Sequence, residues 1–315
     1  MDCIRRINLK TACGDKRSDL IDYCLNKSDQ YVAIGWSYVY KETDNFKDYK
    51  EFYYEVEKHI REEGGRINHA LNSFWYVEKD DLFWTRDLQG FYWICRALDV
   101  AGPHCDKSLD IGAVVPVKAY RYGTEVPGQI KASFNRANGG IVEEIRDQLI
   151  INFSKYVYNE ISNKEVYGEI TKTEGSIINN LPDFDLEELV ISYIQIKENY
   201  YVLSNSIANK STTIGIECEL ISRDKNNPRK AVVQVKAKEN YIDYELYKDY
   251  VNNGYDVYLY DGGREAETKR EGFIVISKTD LESFYHEYNK ILPNSVTKWE
   301  KLFAESGDNS SAVEE

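Results

Sequence analysis

Gln234 and Lys236, two apart in AVVQVKA (231–237), and Glu217 and Glu219, two apart in GIECELI (215–221), are residues whose types and spacing suit chemistry. Period-two alternation sets Val233 and Val235 on one face of the first segment. Val232, Gln234 and Lys236 take the other, which therefore starts apolar and ends in an amide and an ammonium. In the second segment the two glutamates share a face, and Ile216, Cys218 and Leu220 share the opposite one. The polar stretch 223–230 between them suits a hairpin loop, and pairing of the two strands would bring one of the glutamates near Gln234 and Lys236. A carboxylate and an amide oxygen are hard ligands for Mg²⁺ or Mn²⁺, and a lysine beside them can orient water or offset the charge that builds on a phosphoryl group. The same letters also suit an exposed hairpin whose lysine discourages edge pairing and whose glutamates face water.

The elements around these strands read as an α/β arrangement. Asp185 and Glu188 have the spacing of a capping box, followed by Leu186, Leu189, Val190, Tyr193 and Ile194 on one helical face. After AVVQVKA come a helix over about 242–252, the strand DVYLY (256–260), the strand FIVIS (273–277) and a helix from about Thr279. The earlier part of the chain reads as mostly β. YVAIGW (31–36) is an apolar strand, 47–61 a helix ending before Gly64-Gly65, 81–96 an aromatic hairpin turning near Asp87 to Gly90, and 111–123 a strand. Residues 141–151 read as a helix after Gly139-Gly140. These pieces predict a small, barrel-like, mostly β domain over 1–155, a linker over 156–184, an α/β domain with a central mixed sheet over 185–305 and a disordered tail over 306–315.

Composition narrows the function classes. At 315 residues the chain exceeds what one core usually serves, and 42% hydrophobic with 30% charged residues is a globular balance. No run of eighteen apolar residues exists and MDCIRRINLKTACGDK lacks the apolar stretch of a signal peptide, so a cytoplasmic protein without a membrane partner is expected. Six cysteines without C-x-x-C spacing predict reduced thiols rather than a zinc site or disulfides. The net charge of −13 opposes nucleic-acid binding through the overall field and leaves only a local basic groove for it. Phosphate-cradling glycine loops and the G-x-S-x-G and H-E-x-x-H motifs are absent.

YYVLSNS (200–206), IECEL (216–220), AVVQVKA, IDYELYKDY (242–250) and GYDVYLY (254–260) together resemble the PD-(D/E)-x-K nuclease superfamily, the restriction endonuclease-like fold, in its Mrr-type Q-x-K form. The resemblance implies Glu217 as the acidic metal ligand, Gln234 in the place of the second ligand, Lys236 as the catalytic lysine and Mg²⁺, with Mn²⁺ as substitute. Glu187 or Glu188 would add a carboxylate from the preceding helix, with Glu187 nearer its apolar face. The chain departs from the pattern by a glutamate in place of the usual aspartate, by the lack of a proline before it, and by the neutral Gln234. The activity implied is DNA cleavage in restriction or anti-phage defence, by a homodimer where both strands are cut. An inactive nuclease-fold binding protein and a module sensing a nucleotide or modified base are the alternatives.

YVAIGW, the helix after it and DLFWTRDLQGFYW (81–93) are similar to the PUA-like group that includes EVE-type modules. That likeness implies a domain that inspects DNA, modified DNA included. Trp36, Trp75, Trp84 and Trp93 become candidates for stacking a base, and Arg86 for a phosphate or base-edge contact. Lys131 and Arg136, after the Val-Pro-Gly turn, would form a basic rim; an ordinary exposed turn is the competing reading.

Overall fold

A computed structural model describes residues 3–41, 46–136, 139–170, 172–207, 215–238, 240–263 and 271–303. The expected tail over 306–315 lies outside the described residues. The chain divides into two compact units between Thr171 and Lys172.

The first unit contains β1 (Ile4–Ile7), α1 (Arg17–Leu25), β2 (Gln30–Ile34), α2 (Tyr49–Glu62), α3 (His69–Trp75), β3 (Leu82–Arg86), β4 (Tyr92–Ala97), β5 (Gly102–Asp106), β6 (Ile111–Gly123), α4 (Gly128–Asn135), β7 (Val142–Ile145) and α5 (Gln148–Ser162). Its sheet follows the order β2-β6-β4-β3-β1-β7, with β5 also paired to β6. The aromatic hairpin forms as its letters suggest: β3 and β4 pair antiparallel from Leu82↔Arg96 to Arg86↔Tyr92. The sheet is mixed, since β1 runs parallel to β3, and its path is open, ending in β2 and β7. It is therefore not a closed barrel. Strand β6 is long enough to take β2 on one edge and β5 followed by β4 on the other.

The expected helix over 141–151 is corrected. Residues 142–145 pair antiparallel with β1, from Ile4↔Ile145 to Ile7↔Val142, so burying Val142 and Ile145 in a sheet outweighs their fit to a helical stripe. Asp147 then starts α5, its carboxylate accepting from the backbone N–H groups of Leu149 and Ile150. Helix α5 occupies the first part of the segment read as a linker.

The second unit contains α6 (Ile177–Asn180), α7 (Asp183–Ile196), β8 (Tyr200–Val202), β9 (Cys218–Ser222), β10 (Lys230–Lys236), a 3₁₀ turn (Tyr244–Tyr247), α8 (Lys248–Asn252), β11 (Asp256–Asp261), β12 (Phe273–Val275), α9 (Lys278–Tyr288), α10 (Asn294–Thr297) and a 3₁₀ turn (Lys298–Leu302). The sheet is mixed, in the order β12-β11-β10-β9-β8. Strands β8, β9 and β10 form an antiparallel meander; β10, β11 and β12 are parallel, and the helical segment 244–252 makes the crossover from β10 to β11.

The capping box expected at Asp185 does not form. Helix α7 begins two residues earlier, after Pro182, and Asp185 lies inside it, fully buried, accepting a hydrogen bond from the Trp299 indole N–H at 3.1 Å. Proline suits a helix start because it has no N–H to leave unsatisfied. No helix among the described residues is long and apolar enough to cross a membrane.

Candidate active site at the end of strand β10

Residues 231–235 of β10 are all buried, because the strand is central in the sheet and covered on both faces. On one face Val232 joins Ile242, Tyr244, Tyr247, Val257 and Leu259 in an apolar cluster under the crossover. Gln234 shares that face, pairing in register with Leu259 of β11. The opposite face carries Tyr258, whose hydroxyl donates to Glu198 just beyond α7, and α7 itself packs on β10 and β8.

Backbone pairing of β9 with β10 continues one step past the named strand: the Glu217 N–H donates to the Val233 carbonyl at 2.8 Å. Glu217 and Gln234 are thereby brought together, with Gln234 Nε2 donating to Glu217 Oε1 at 3.0 Å and to the Val235 carbonyl at 3.0 Å. Gln234 is 2% exposed, and its Oε1 has no hydrogen-bond partner among the described residues. An orphaned buried carbonyl is a costly arrangement in a protein interior. Gly215 stands over it, where an added Cβ would lie 3.4 Å from Oε1.

Lys236, two residues on and on the same strand face, is the exposed last residue of β10. Asp261, its register partner on β11, is buried, and its Oδ2 accepts from the Ile242 N–H at 3.1 Å. The structure thus joins Glu217 with Gln234 and puts Lys236 at the strand end beside them. Glu187 is half-buried on α7, the helix of the Tyr258 face.

One residue at this site, Tyr247, carried no signal that the sequence reading used. Tyr247 is buried, and its hydroxyl donates to the Gly215 carbonyl at 2.6 Å, tying the crossover to the segment that leads into Glu217. Burial, with the charge of Glu217 as a second cause, pushes the Tyr247 phenol up to about 12, so near neutral pH it remains a donor. In the 3₁₀ turn Tyr244 and Tyr247, three apart, fall on one side, and the letters IDYELY mark them only as apolar covers. Replacing Tyr247 by phenylalanine should lower unfolding stability by about 1 kcal/mol, the net worth of one hydrogen bond, read as a lower urea midpoint at unchanged slope.

A hard cation suits this donor set. The buried Gln234 Oε1 lacks a partner, and the Glu217 carboxylate meets the Nε2 end of the same amide, while Mg²⁺ commonly takes one or two carboxylates and fills its remaining positions with water and phosphate oxygens. Among the described residues no group of three or more His, Cys, Asp or Glu gathers as a metal cluster. The protein's own donors here are therefore sparse.

The four tryptophans of the first unit do not form one pocket. Trp84 is fully buried, its indole N–H donating to Ser154 Oγ at 2.9 Å, so its place as a base platform is corrected to core: no ring face is free. Trp36 is half-buried in a left-handed conformation before a short 3₁₀ turn and packs on the core. Trp75, on α3, is 37% exposed and meets Tyr53 and Tyr54 edge-on. Trp93 alone of the four lines a cleft of about 520 Å³, together with α1 and the β3–β4 turn.

Arg86 does not pair with Asp87; its guanidinium donates to Asn135 at 3.0 Å and lies over the Phe134 and Tyr92 rings. The basic rim is reduced, because Arg136 pairs with Glu143 at 2.7 Å while Lys131 is half-buried on α4. Comparison with protein-family models, curated proteins and solved structures finds no match to this chain.

Proposed function

We propose that the second unit hydrolyses phosphodiester bonds in DNA with the help of Mg²⁺ or Mn²⁺, and that the first unit selects the DNA, plain or modified. The observation that carries this reading is the joining of Glu217 and Gln234, whose Nε2 donates to the carboxylate at 3.0 Å while its buried Oε1 has no partner, with Lys236 at the same strand end. The mixed sheet of the second unit agrees with the restriction endonuclease-like resemblance. The bound cation would supply a polarised phosphoryl oxygen and an activated water. Glu217 and Gln234 would hold that cation. Lys236, exposed and mobile on its four-carbon stem, would orient the attacking water or offset charge on the phosphoryl group.

With a net charge of −13, contacts to the DNA backbone must be local rather than global. A double-strand break requires two such sites, which a pair of chains would supply. A role in restriction or anti-phage defence follows from the same reading. The test is incubation of the full chain with plain and modified duplexes, single strands and RNA, in Mg²⁺, Mn²⁺ or EDTA. Cleavage of duplex DNA that EDTA abolishes is the expected result. Binding of DNA without cleavage in either metal would instead favour a nuclease fold kept for binding, which the neutral Gln234 suits.

A further inference from the structure

The cleft of about 520 Å³ in the first unit is lined by the α1 region, by Asp87 and the β3–β4 turn, and by Trp93 and Arg121 from the sheet. Its size is that of a pocket for one small molecule. Asp87 is the recessed group: only 8% exposed, it accepts from the Phe91 N–H through Oδ1 at 2.9 Å and from the Trp93 indole N–H through Oδ2 at 3.0 Å. Arg121 is ion-paired with it, Nε lying 3.7 Å from Oδ2, beyond hydrogen-bond length. An ionised carboxylate offers about four lone-pair positions, so acceptor capacity remains on Asp87 after these two bonds. The Arg121 guanidinium lies 3.7 Å above the Phe91 ring and is half-exposed, which holds a cation at the mouth.

One cleft thus combines an indole wall, a recessed acceptor and a cation at the rim. A ligand matching all three is a planar ring with an N–H donor edge, joined to an anion. We infer that this cleft binds a single nucleotide, with a base bearing an exocyclic amino group donating to Asp87, the ring against Trp93 and the phosphate at Arg121. Thymine and uracil present carbonyl oxygens where the other bases carry the amino group, and two acceptors facing each other repel. The cleft is therefore a selector for cytosine, adenine or guanine against thymine. This inference rests on the reader role of the first unit and is independent of cleavage by the second.

The experiment is calorimetric titration of the full chain with the 5′-monophosphates of deoxycytidine, deoxyadenosine, deoxyguanosine and thymidine, and with the matching nucleosides. At least one amino-bearing nucleotide should bind about tenfold more tightly than thymidine monophosphate, in line with the usual worth of a base-edge contact. Asp87→Asn should remove most of that preference. Arg121→Gln, a change at a half-exposed side chain, should bring nucleotide affinity down to that of the nucleoside and leave folding intact. Because Asp87 also holds the turn at Phe91, the Arg121 variant keeps the test informative if Asp87→Asn unfolds. No binding at millimolar nucleotide, or equal binding of all four unaffected by both substitutions, would overturn the inference. Binding of an oligonucleotide under those conditions would then leave the reader role standing without this cleft, whereas failure of oligonucleotides too would remove both.

Discussion

Glu217→Ala should abolish metal-dependent cleavage, and Lys236→Ala should reduce kcat by about 10²- to 10³-fold, the usual cost of removing one group that stabilises developing charge. For Glu217 the loss would be larger, because on the proposed reading a cation held by it would go too, and a bound metal contributes several kcal/mol of charge stabilisation. The two variants differ in their structural consequences. Lys236 is exposed, so its truncation should leave stability within about 0.5 kcal/mol. Removing Glu217 takes away one of the two acceptors of the buried Gln234 amide and should cost about 1–3 kcal/mol. Glu217→Gln separates these effects, retaining a polar partner for Gln234 while removing the charge. Single-turnover cleavage beside thermal melting of each variant reads both quantities, and unchanged cleavage in the Glu217 and Lys236 variants would sink the proposed site.

A second large effect is expected in the first unit. Trp84→Ala should destabilise it by about 3–5 kcal/mol, as for other fully buried aromatic side chains. Trp84 packs edge-on against Tyr122 with ring centres 5.6 Å apart, and its N–H is held by Ser154, whose own hydroxyl donates to the Ile150 carbonyl at 2.7 Å. Truncation therefore leaves a cavity and deprives Ser154 Oγ of its donor. At about 2–4 °C per kcal/mol for a unit of this size, the melting transition should fall by roughly 6–20 °C. A Trp84→Ala protein that melts like the parent and loses only ligand binding would restore the role of this residue as a base platform. The half-buried Trp93 gives the contrast, since its truncation should act on the cleft more than on the core.

The strands of the second unit were legible because their patterns are short and separated by unmistakable turns. AVVQVKA, DVYLY and the 223–230 loop lie close to where alternation and polarity put them, and the antiparallel hairpin that should carry a glutamate to Gln234 does so. Burial on both faces of β10 was not legible: two-period alternation cannot reveal that a helix covers one side and a crossover the other. Asp185 shows a similar limit. Three residues before a glutamate it reads as a cap, yet the preceding Pro182 starts the helix and a tryptophan more than a hundred residues away claims the carboxylate. In the first unit, tryptophans in aromatic strands look alike in one dimension. Only what covers each face of the sheet, α5 over Trp84 and the α1 cleft beside Trp93, makes the first core and the second a cleft wall.

The long reach of that Trp299 contact belongs to a wider closure of the second unit. Thr173, near its start, donates from its N–H to the Leu302 carbonyl at 2.9 Å and forms a parallel bridge with Phe303, the last described residue. The first and last described segments of the unit thus lie side by side, one strand-width apart. A fragment cut short before Pro293 would take the Trp299 donor from the buried Asp185 carboxylate and lose the clasp at Thr173, so a fragment of this unit that folds alone should keep both segments.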